Sequence, residues 1–267
     1  MWICPHCRLL LQLDTEARSW KCAGNHQFDC AKEGYVNLLP ANSKRTKEPG
    51  DSAQMVAARR RVHDLGLYQP LAAAVIEQLQ LVGPGDSILD LGCGEGFYTG
   101  AVAEAFPTAS VAGVDIAKTA IRLAAKRHQK ASFAVASTFS LPVADASQDA
   151  VIRVFAPSDD ADMQRALKSD GVYIEVTPAT EHLWELRQNL YTRSIGHAPP
   201  RREISGMTCI EEREVGFELE LNPQQISDVL SMTPFAFKGH REKRKRLLQM
   251  EVLQVKMAFN ILAFRPR

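Results

Sequence analysis

Two groups of residues in this 267-residue chain have types and spacings that could do chemistry. The first is Cys4-Pro-His-Cys7, then fourteen residues, then Cys22-Ala-Gly-Asn-His26. Ligands two or three residues apart can each clasp one tetrahedral ion from a tight turn, so Cys4, Cys7, Cys22 and His26 read as a closed Cys3His zinc site. His6 competes with His26 for the fourth place, and His26 keeps the pairwise spacing regular. Cys30 is a fifth nearby cysteine and reads as a packed residue. The second group is Ile-Leu-Asp-Leu-Gly-Cys-Gly-Glu-Gly at 88–96, an apolar run entering a turn with Gly92, Gly94 and Gly96. A helix-like stretch, Phe97 to Ala105, follows. Strand, tight turn and helix N-terminus form the place where an open α/β sheet binds ligands, and glycine lets a ligand lie against main chain.

Spacing and charge narrow the ligand. A dinucleotide site needs Gly-x-Gly-x-x-Gly, and the third glycine counted from Gly92 would fall at Phe97. A pyrophosphate is also a poor match for a turn that carries Asp90 and Glu95 beside a helix N-terminus. A ligand with a positive centre and an amino group suits those carboxylates better. Ser110 to Asp115 reads as a second buried strand, ending in an acid placed to accept hydrogen bonds from two ribose hydroxyls. Together these describe a pocket for S-adenosylmethionine, and the run resembles the first two motifs of class I methyltransferases.

These groups need elements to hold them. The chain is long enough, at 45% apolar residues, for one full core and a small appendage. With 32 basic and 31 acidic residues no global field announces a nucleic-acid partner, so any such surface is local. No apolar run approaches a membrane span and no signal-peptide core opens the chain, which predicts a soluble, cytoplasmic protein. Six cysteines with a Cys-x-x-Cys pair fit metal ligation in a reducing compartment. The organisation expected is a small zinc-binding module at 1–36, a linker and helix at 37–66, and an S-adenosylmethionine-dependent methyltransferase domain at 67–267.

Within that frame Arg8 to Lys21 fits a two-stranded hairpin, with Leu9, Leu11 and Leu13 alternating. Lys44, Arg45 and Lys47 lie in a polar, Pro-Gly-broken stretch and could touch phosphate or simply be solvated. Asp51 or Ser52 caps a helix from Ala53 to about Leu65, whose Arg59-Arg60-Arg61 could face internal acid or RNA. Tyr68 precedes a helix from Pro70 to Leu81 and is either a core aromatic or a lid over the methionine end of the ligand. Alternating elements then predict helix 117–127, strands 132–136 and 150–155, helix 160–167, a turn at 170–171, strand 172–176, a helical run 181–191 bearing His182, a helix over 224–231, and a last antiparallel strand within 253–261. The result is a parallel, doubly wound sheet. Arg153 to Pro157, ending the fourth strand, should face substrate. It lacks the Asn/Asp-Pro-Pro-Tyr motif by which many amino-methylating enzymes hold an exocyclic amine, which makes such a substrate a poorer match and keeps open a ring nitrogen that must lose its proton before attack. Candidate bases are Asp159, Asp160, Glu175 and His182. The basic window His240 to Arg246 is either an RNA face or a solvated helix end.

Nearly end to end the chain resembles the bacterial large-subunit rRNA guanine-N1 methyltransferases, the RlmA family. The likeness rests on the Cys4, Cys7, Cys22, His26 set, on Phe28-Asp29 with 31–40, on 49–53, Tyr68-Gln-Pro70, Asp90 to Gly96, and Met232-Thr-Pro-Phe235. The resemblance implies methyl transfer to N1 of a guanine in a hairpin of 23S rRNA, a zinc module that helps to grip RNA, a homodimer, and Tyr68 and His182 contributing to the cofactor pocket. Cys30 departs from the methionine typical of the family. Two other classes share parts of the pattern: a small-molecule methyltransferase, and a non-catalytic zinc-containing RNA-binding protein.

Overall fold

The structure is a computed structural model that describes residues 2–40, 50–233, 235 and 241–267. Lys44, Arg45, Lys47 and His240, together with Pro49 and Pro234 of the family-like stretches, lie outside the described residues. The chain opens with a three-stranded antiparallel sheet, β1 (Leu11–Asp14), β2 (Ser19–Cys22) and β3 (Gln27–Asp29), followed by β4 (Val36–Asn37). Two helices come next, α1 (Ala53–Asp64) and α2 (Gln69–Val82). The central series is β5 (Ser87–Leu91), α3 (Phe97–Ala105), β6 (Ser110–Asp115), α4 (Lys118–Arg127), β7 (Ser132–Val135), β8 (Gln148–Val154), α5 (Asp160–Ala166) and β9 (Leu167–Pro178). The chain ends with α6 (Trp184–Leu190), β10 (Met207–Leu221), α7 (Pro223–Ser231), α8 (Arg241–Leu247) and β11 (Leu253–Pro266). The large sheet runs β10-β11-β9-β8-β5-β6-β7-β4, and its last-formed strand, β11, is antiparallel to both β9 and β10.

Local chemistry explains most of these elements. In β5, Ile88, Leu89 and Leu91 are fully buried, as a parallel strand covered on both faces requires. Ser52 caps α1 by accepting from Met55 N, and Asn222 and Gln225 form a reciprocal capping box at the start of α7. Pro70 sits in the first turn of α2, where a missing N–H costs nothing.

Four features differ from the sequence reading. A boundary drawn after residue 36 would cut β4, whose Val36 and Asn37 pair with Ala134 and Val135 of β7, so the end of the N-terminal segment belongs to the edge of the large sheet. The turn expected at Asp170-Gly171 is an irregularity inside β9, where the register jumps from Leu167 opposite Gln148 to Val172 opposite Ala150. The helical run expected from Glu181 starts only at Trp184, because Leu183 has φ +52°, and His182 therefore sits in a turn before α6. Strand β10 has no counterpart in the sequence reading. Its mostly exposed alternation of Glu with apolar residues, from Glu211 to Glu220, is that of an edge strand whose charges oppose edge-to-edge pairing.

One core ties the small sheet to the large one. Trp2, Cys4, Leu11 and Cys22 are buried in the same cluster as Leu38, Leu141 and Val143, and Ile3 N donates to Pro142 O. On the opposite face α2, α3, α6 and α7 pack on β8, β9 and β11 around Leu71, Val75, Ile174 and Phe259. No helix among the described residues is long and apolar enough to cross a membrane.

Candidate active site and metal centre

The turn between β5 and α3 is built on three residues in the left-handed region: Gly92 (φ +71°), Gly94 (φ +57°) and Gly96 (φ +85°). Any side chain there is strained. The three differ in what surrounds them. A Cβ on Gly92 would lie 2.3 Å from Ala156 Cβ, so this glycine is demanded by the segment after β8. A Cβ on Gly96 would press on Ala124 and His128. A Cβ on Gly94 would meet only Arg59 Nη1, at 3.6 Å, so this is the open side of the turn. That openness is what a bound ligand needs.

The acids around the turn divide by partner. Asp115, ending β6, accepts from Gly94 N at 2.9 Å and from Ala117 N at 2.7 Å, which holds the turn against the second strand while leaving lone pairs on both oxygens. Burial raises the Asp115 carboxyl above its usual range, opposed by those two bonds. Asp90, 1% exposed, accepts from Thr99 Oγ1 at 2.6 Å. Burial pushes it up to about 7, and Asp115 adds to the rise. Glu95 is committed elsewhere: its Oε1 is 2.6 Å from Nδ1 of buried His63, whose ring stacks on Phe97. Through this bond Glu95 anchors the turn to α1.

Tyr68 and His182 converge through Phe259 of β11, a residue the sequence reading did not single out. Ring centroids lie 5.7 Å from Phe259 to Tyr68, 4.6 Å to His182 and 5.5 Å to Phe155. Tyr68 is 2% exposed, and burial raises its phenol. His182 Nδ1 accepts from Ala258 N at 3.3 Å, an assignment of tautomer made from this bond, and burial pushes the imidazole down to about 3. His182 is thus neutral, with its proton on Nε2. Phe155, at the end of β8, is 43% exposed with φ +56°, so the segment expected to face substrate does present a large side chain to solvent.

Each arginine of the run in α1 has an acidic neighbour, and Arg60 and Arg61 remain partly exposed. Arg59 bonds Asp51 at 2.5 Å and donates to Met232 O, Arg60 faces Asp64 at 3.6 Å, and Arg61 holds buried Asp228 through two bonds. Arg59 nevertheless lies beside Gly94 on the open side of the turn. Three consecutive basic residues in a helix give no signal of which one points at a turn 35 positions away.

The remaining candidate bases are engaged to different degrees, and Glu175 keeps a buried Oε2 without a partner among the described residues. Asp159 caps α5 by accepting from Asp162 N. Asp160 is held by Arg201, and Glu175 forms a buried ion pair with Arg153.

In the N-terminal sheet, one ligand atom each from Cys4, Cys7, Cys22 and His26 lies within 4.8 Å of every other. Cys7 Sγ and His26 Nδ1 are each 3.5 Å from Cys22 Sγ. A tetrahedron of ligands at zinc–sulfur distance has edges of about 3.8 Å, so three sulfurs and one imidazole fit that ion in size and in softness. A Cβ on Gly24 would lie 3.2 Å from Cys7 Sγ, which explains the glycine in the second knuckle. His6 takes no part in the cluster; its ring stacks on Phe28. Cys30 stands apart, bridged by main chain to Val36.

The comparisons agree with both halves. Residues 2–47 match the zinc-ribbon family described as RlmA, N-terminal, and residues 88–171 match a methyltransferase domain family. A solved chain from the complex of the Haloferax volcanii Trm112 methyltransferase activator with a methyltransferase superposes with a TM-score of 0.50 at 18% identity, covering 82% of this chain and all of that one, and so shares its fold. The fold is that of class I methyltransferases, which use S-adenosylmethionine, and the N-terminal ribbon carries a zinc site. A Micromonospora griseorubida protein described as a 23S rRNA (guanine-N1)-methyltransferase is 32% identical over 98% of this chain and 96% of its own length. The 23S rRNA (guanine(748)-N(1))-methyltransferase of Streptomyces fradiae is 37% identical over 68% of this chain and 65% of its own length. YxjB of Bacillus subtilis, described in the same terms as the first, is 31% identical over 98% and 96%. The chain belongs to the 23S rRNA (guanine-N1)-methyltransferase family, with an RlmA-type zinc ribbon at its N-terminus.

Proposed function

We propose that this protein transfers the methyl group of S-adenosylmethionine to N1 of a guanine in a hairpin of 23S rRNA. The observation that carries the reading is the 92–96 turn, open at Gly94 and bonded to Asp115, on a chain whose N-terminal sheet gathers three thiols and an imidazole. When bound, the cofactor supplies an electrophilic methyl on a sulfonium. The protein does the rest. Asp115 would accept from the ribose hydroxyls, Gly94 would let the ligand reach main chain, and Asp90 would balance positive charge from within the core. His182 Nε2–H and Tyr68 would border the methionine end, held in place by Phe259.

Guanine N1 must lose its proton for its lone pair to attack in line. Asp159, Asp160 and Glu175 are engaged as a cap and as ion-pair partners, and His182 carries its proton on Nε2 as a donor. On this reading the chain's main contribution is to position N1 in line with the methyl group.

Cys4, Cys7, Cys22 and His26 are proposed as the zinc ligands, and the ribbon as part of the RNA grip. Arg241, Lys245 and Arg246 are exposed on α8 and fit phosphate contact, which makes binding fall with salt by a factor set by the number of phosphates neutralised. The homodimer belongs to the same reading and is checked by sedimentation equilibrium of the zinc-loaded protein.

The test is incubation of the protein with labelled S-adenosylmethionine and 23S rRNA from a strain lacking the gene, followed by nuclease mapping and mass spectrometry. Label on guanine N1 is the expected result. Label in a small molecule, or none in RNA, would overturn the reading.

A further inference from the structure

Among the described residues two phenylalanines are exposed, Phe139 at 58% and Phe155 at 43%, and both stand at the ligand-binding edge of the large sheet. Phe155 follows β8 and Phe139 lies four residues past β7, the two parallel strands that flank β5 and β6. That edge, outside the carboxyl ends of the strands, is where an open α/β sheet takes its ligands. It carries the 92–96 turn after β5 and Asp115 at the end of β6. On one side the contact with the turn is direct: Ala156, next to Phe155, is the residue that a Cβ on Gly92 would strike.

The fold gives neither ring a buried role. Phe139 occupies the third position of a tight turn, 137–140, in which Ser140 N donates to Ser137 O and Phe139 N to Ser137 Oγ. Small polar residues suit such a turn, and an exposed phenylalanine adds nothing to it. Phe155 holds φ +56°, a conformation costly for a bulky side chain. Strain of this kind persists where the surroundings enforce it, and it collects at ligand sites. Here Phe155 N donates to Val176 O, and the ring rests against Phe259 at 5.5 Å between centroids. The segments that carry the two rings form one bonded unit, because Thr138 Oγ1 donates to Pro157 O at 2.7 Å and Asp159 N donates to Thr138 O. Past Phe139 that unit runs on to the zinc ribbon, where Ile3 N donates to Pro142 O.

We propose that Phe155 and Phe139 form a stacking track for unpaired nucleotides of the RNA hairpin, with the target guanine on Phe155 and a neighbouring base on Phe139. The inference rests on the function proposed above and names how that site holds its RNA. N1 carries the central Watson–Crick hydrogen bond of guanine, so the base must be unpaired to be methylated there, and a base taken out of its stack loses the neighbours that covered its faces. An exposed aromatic ring replaces them. Every base has a π-face, so such contacts hold single-stranded RNA without reading its sequence. Phe155 takes the guanine because Ala156 beside it packs on the cofactor turn. Phe139 takes the next base because its segment leads to the ribbon proposed to grip RNA.

The experiment uses the full-length, zinc-loaded protein and a synthetic RNA hairpin carrying the mapped guanine. Phe155→Tyr should keep kcat/KM within about threefold of wild type, whereas Phe155→Leu, apolar but without a π-face, should lose roughly tenfold. Unchanged S-adenosylmethionine affinity in calorimetry shows that the leucine variant is folded. Phe139→Ala, at an exposed turn, should weaken hairpin binding roughly tenfold in fluorescence anisotropy, with the salt dependence unaltered because no phosphate contact is lost. An abasic nucleotide at one of the positions flanking the guanine should remove the difference between Phe139→Ala and wild type. Equal rates for Phe155→Leu and Phe155→Tyr would overturn the stacked guanine, and wild-type hairpin affinity in Phe139→Ala would overturn the track. Loss of a dimer in sedimentation with RNA affinity intact would also overturn it, by assigning the Phe139 ring to a second copy of the chain. Should Phe155→Leu fail to fold, Phe139→Ala with the abasic hairpins decides. Absence of any RNA methylation by the wild type would instead refute the function on which the track rests.

Discussion

His63 Nδ1 and Glu95 Oε1 lie 2.6 Å apart with both side chains at least 95% buried, so helix α1 is bonded directly into the turn between β5 and α3. Together with Arg59 beside Gly94, this contact packs α1 against the turn proposed to hold the cofactor. Burial lowers the imidazole's affinity for a proton, with Glu95 pulling the other way. Replacing His63 by Ala leaves a buried carboxylate without a partner and removes the stack on Phe97. We expect a loss of roughly 3 kcal/mol in chemical denaturation, along with weaker cofactor binding. Stability within 0.5 kcal/mol of wild type, the usual range for a surface exchange, would show that the bond is incidental.

Gly92 and Gly94 should respond differently to the same substitution. Gly94→Ala adds a methyl into open space at positive φ and should cost about 1–2 kcal/mol from backbone strain, with cofactor affinity reduced more than stability. Gly92→Ala adds that strain and also drives a methyl into Ala156. Thermal melting and calorimetry on both proteins check the order; a Gly92→Ala protein as stable as Gly94→Ala would contradict the packing.

Asp115→Ala should weaken S-adenosylmethionine and S-adenosylhomocysteine alike, by tenfold or more, because the ribose is common to both. It also frees Gly94 N and Ala117 N, so some stability is lost with it. Equal affinities for wild type and variant would remove Asp115 from the cofactor site.

The buried Asp90 carboxyl makes a pH prediction. Its folded pKa, about 7, lies above its unfolded value, so its contribution to stability is fully present below pH of about 4 and is lost as pH rises through about 7. A sulfonium bound nearby favours the carboxylate and should displace the proton within that window, whereas the neutral product should not. Calorimetry at pH 6 in buffers of different ionisation heat should show close to one proton released with S-adenosylmethionine and little with S-adenosylhomocysteine. Identical proton release for the two ligands would exclude Asp90 as the charge partner.

Cys22→Ser, or a chelator, should abolish zinc binding and loosen more than the N-terminal sheet. Cys4 and Cys22 share a buried cluster with Leu141 and Val143 of the large domain, so the melting temperature of the whole protein should fall. Retained zinc at one per chain in Cys22→Ser, measured by mass spectrometry, would reassign the ligand.

Residue spacing alone determined the fold class, the four-residue Cys/His cluster and the turn through Gly92, Gly94 and Gly96. Three glycines at alternate positions after an apolar run favour a sharp turn, and cysteines two residues apart with a Cys-x3-His partner can close on one ion, because both constraints act within a few residues. The apolar strands of a doubly wound sheet are equally local, since each must be buried on both faces. What depended on residues far apart in sequence needed the tertiary structure. Glu95 and Asp90 look alike in sequence, yet only the packing of α1 gives Glu95 to His63. Arg59, Arg60 and Arg61 are consecutive, and only the placement of Asp51, Asp64 and Asp228 pairs each of them and brings Arg59 to Gly94. Phe259 and Asn260 are neighbours in an alternating strand, and the pleat sends one to the Tyr68–His182 cluster and the other to an open cleft on the opposite face, a division fixed by register across three strands rather than by either residue's own type.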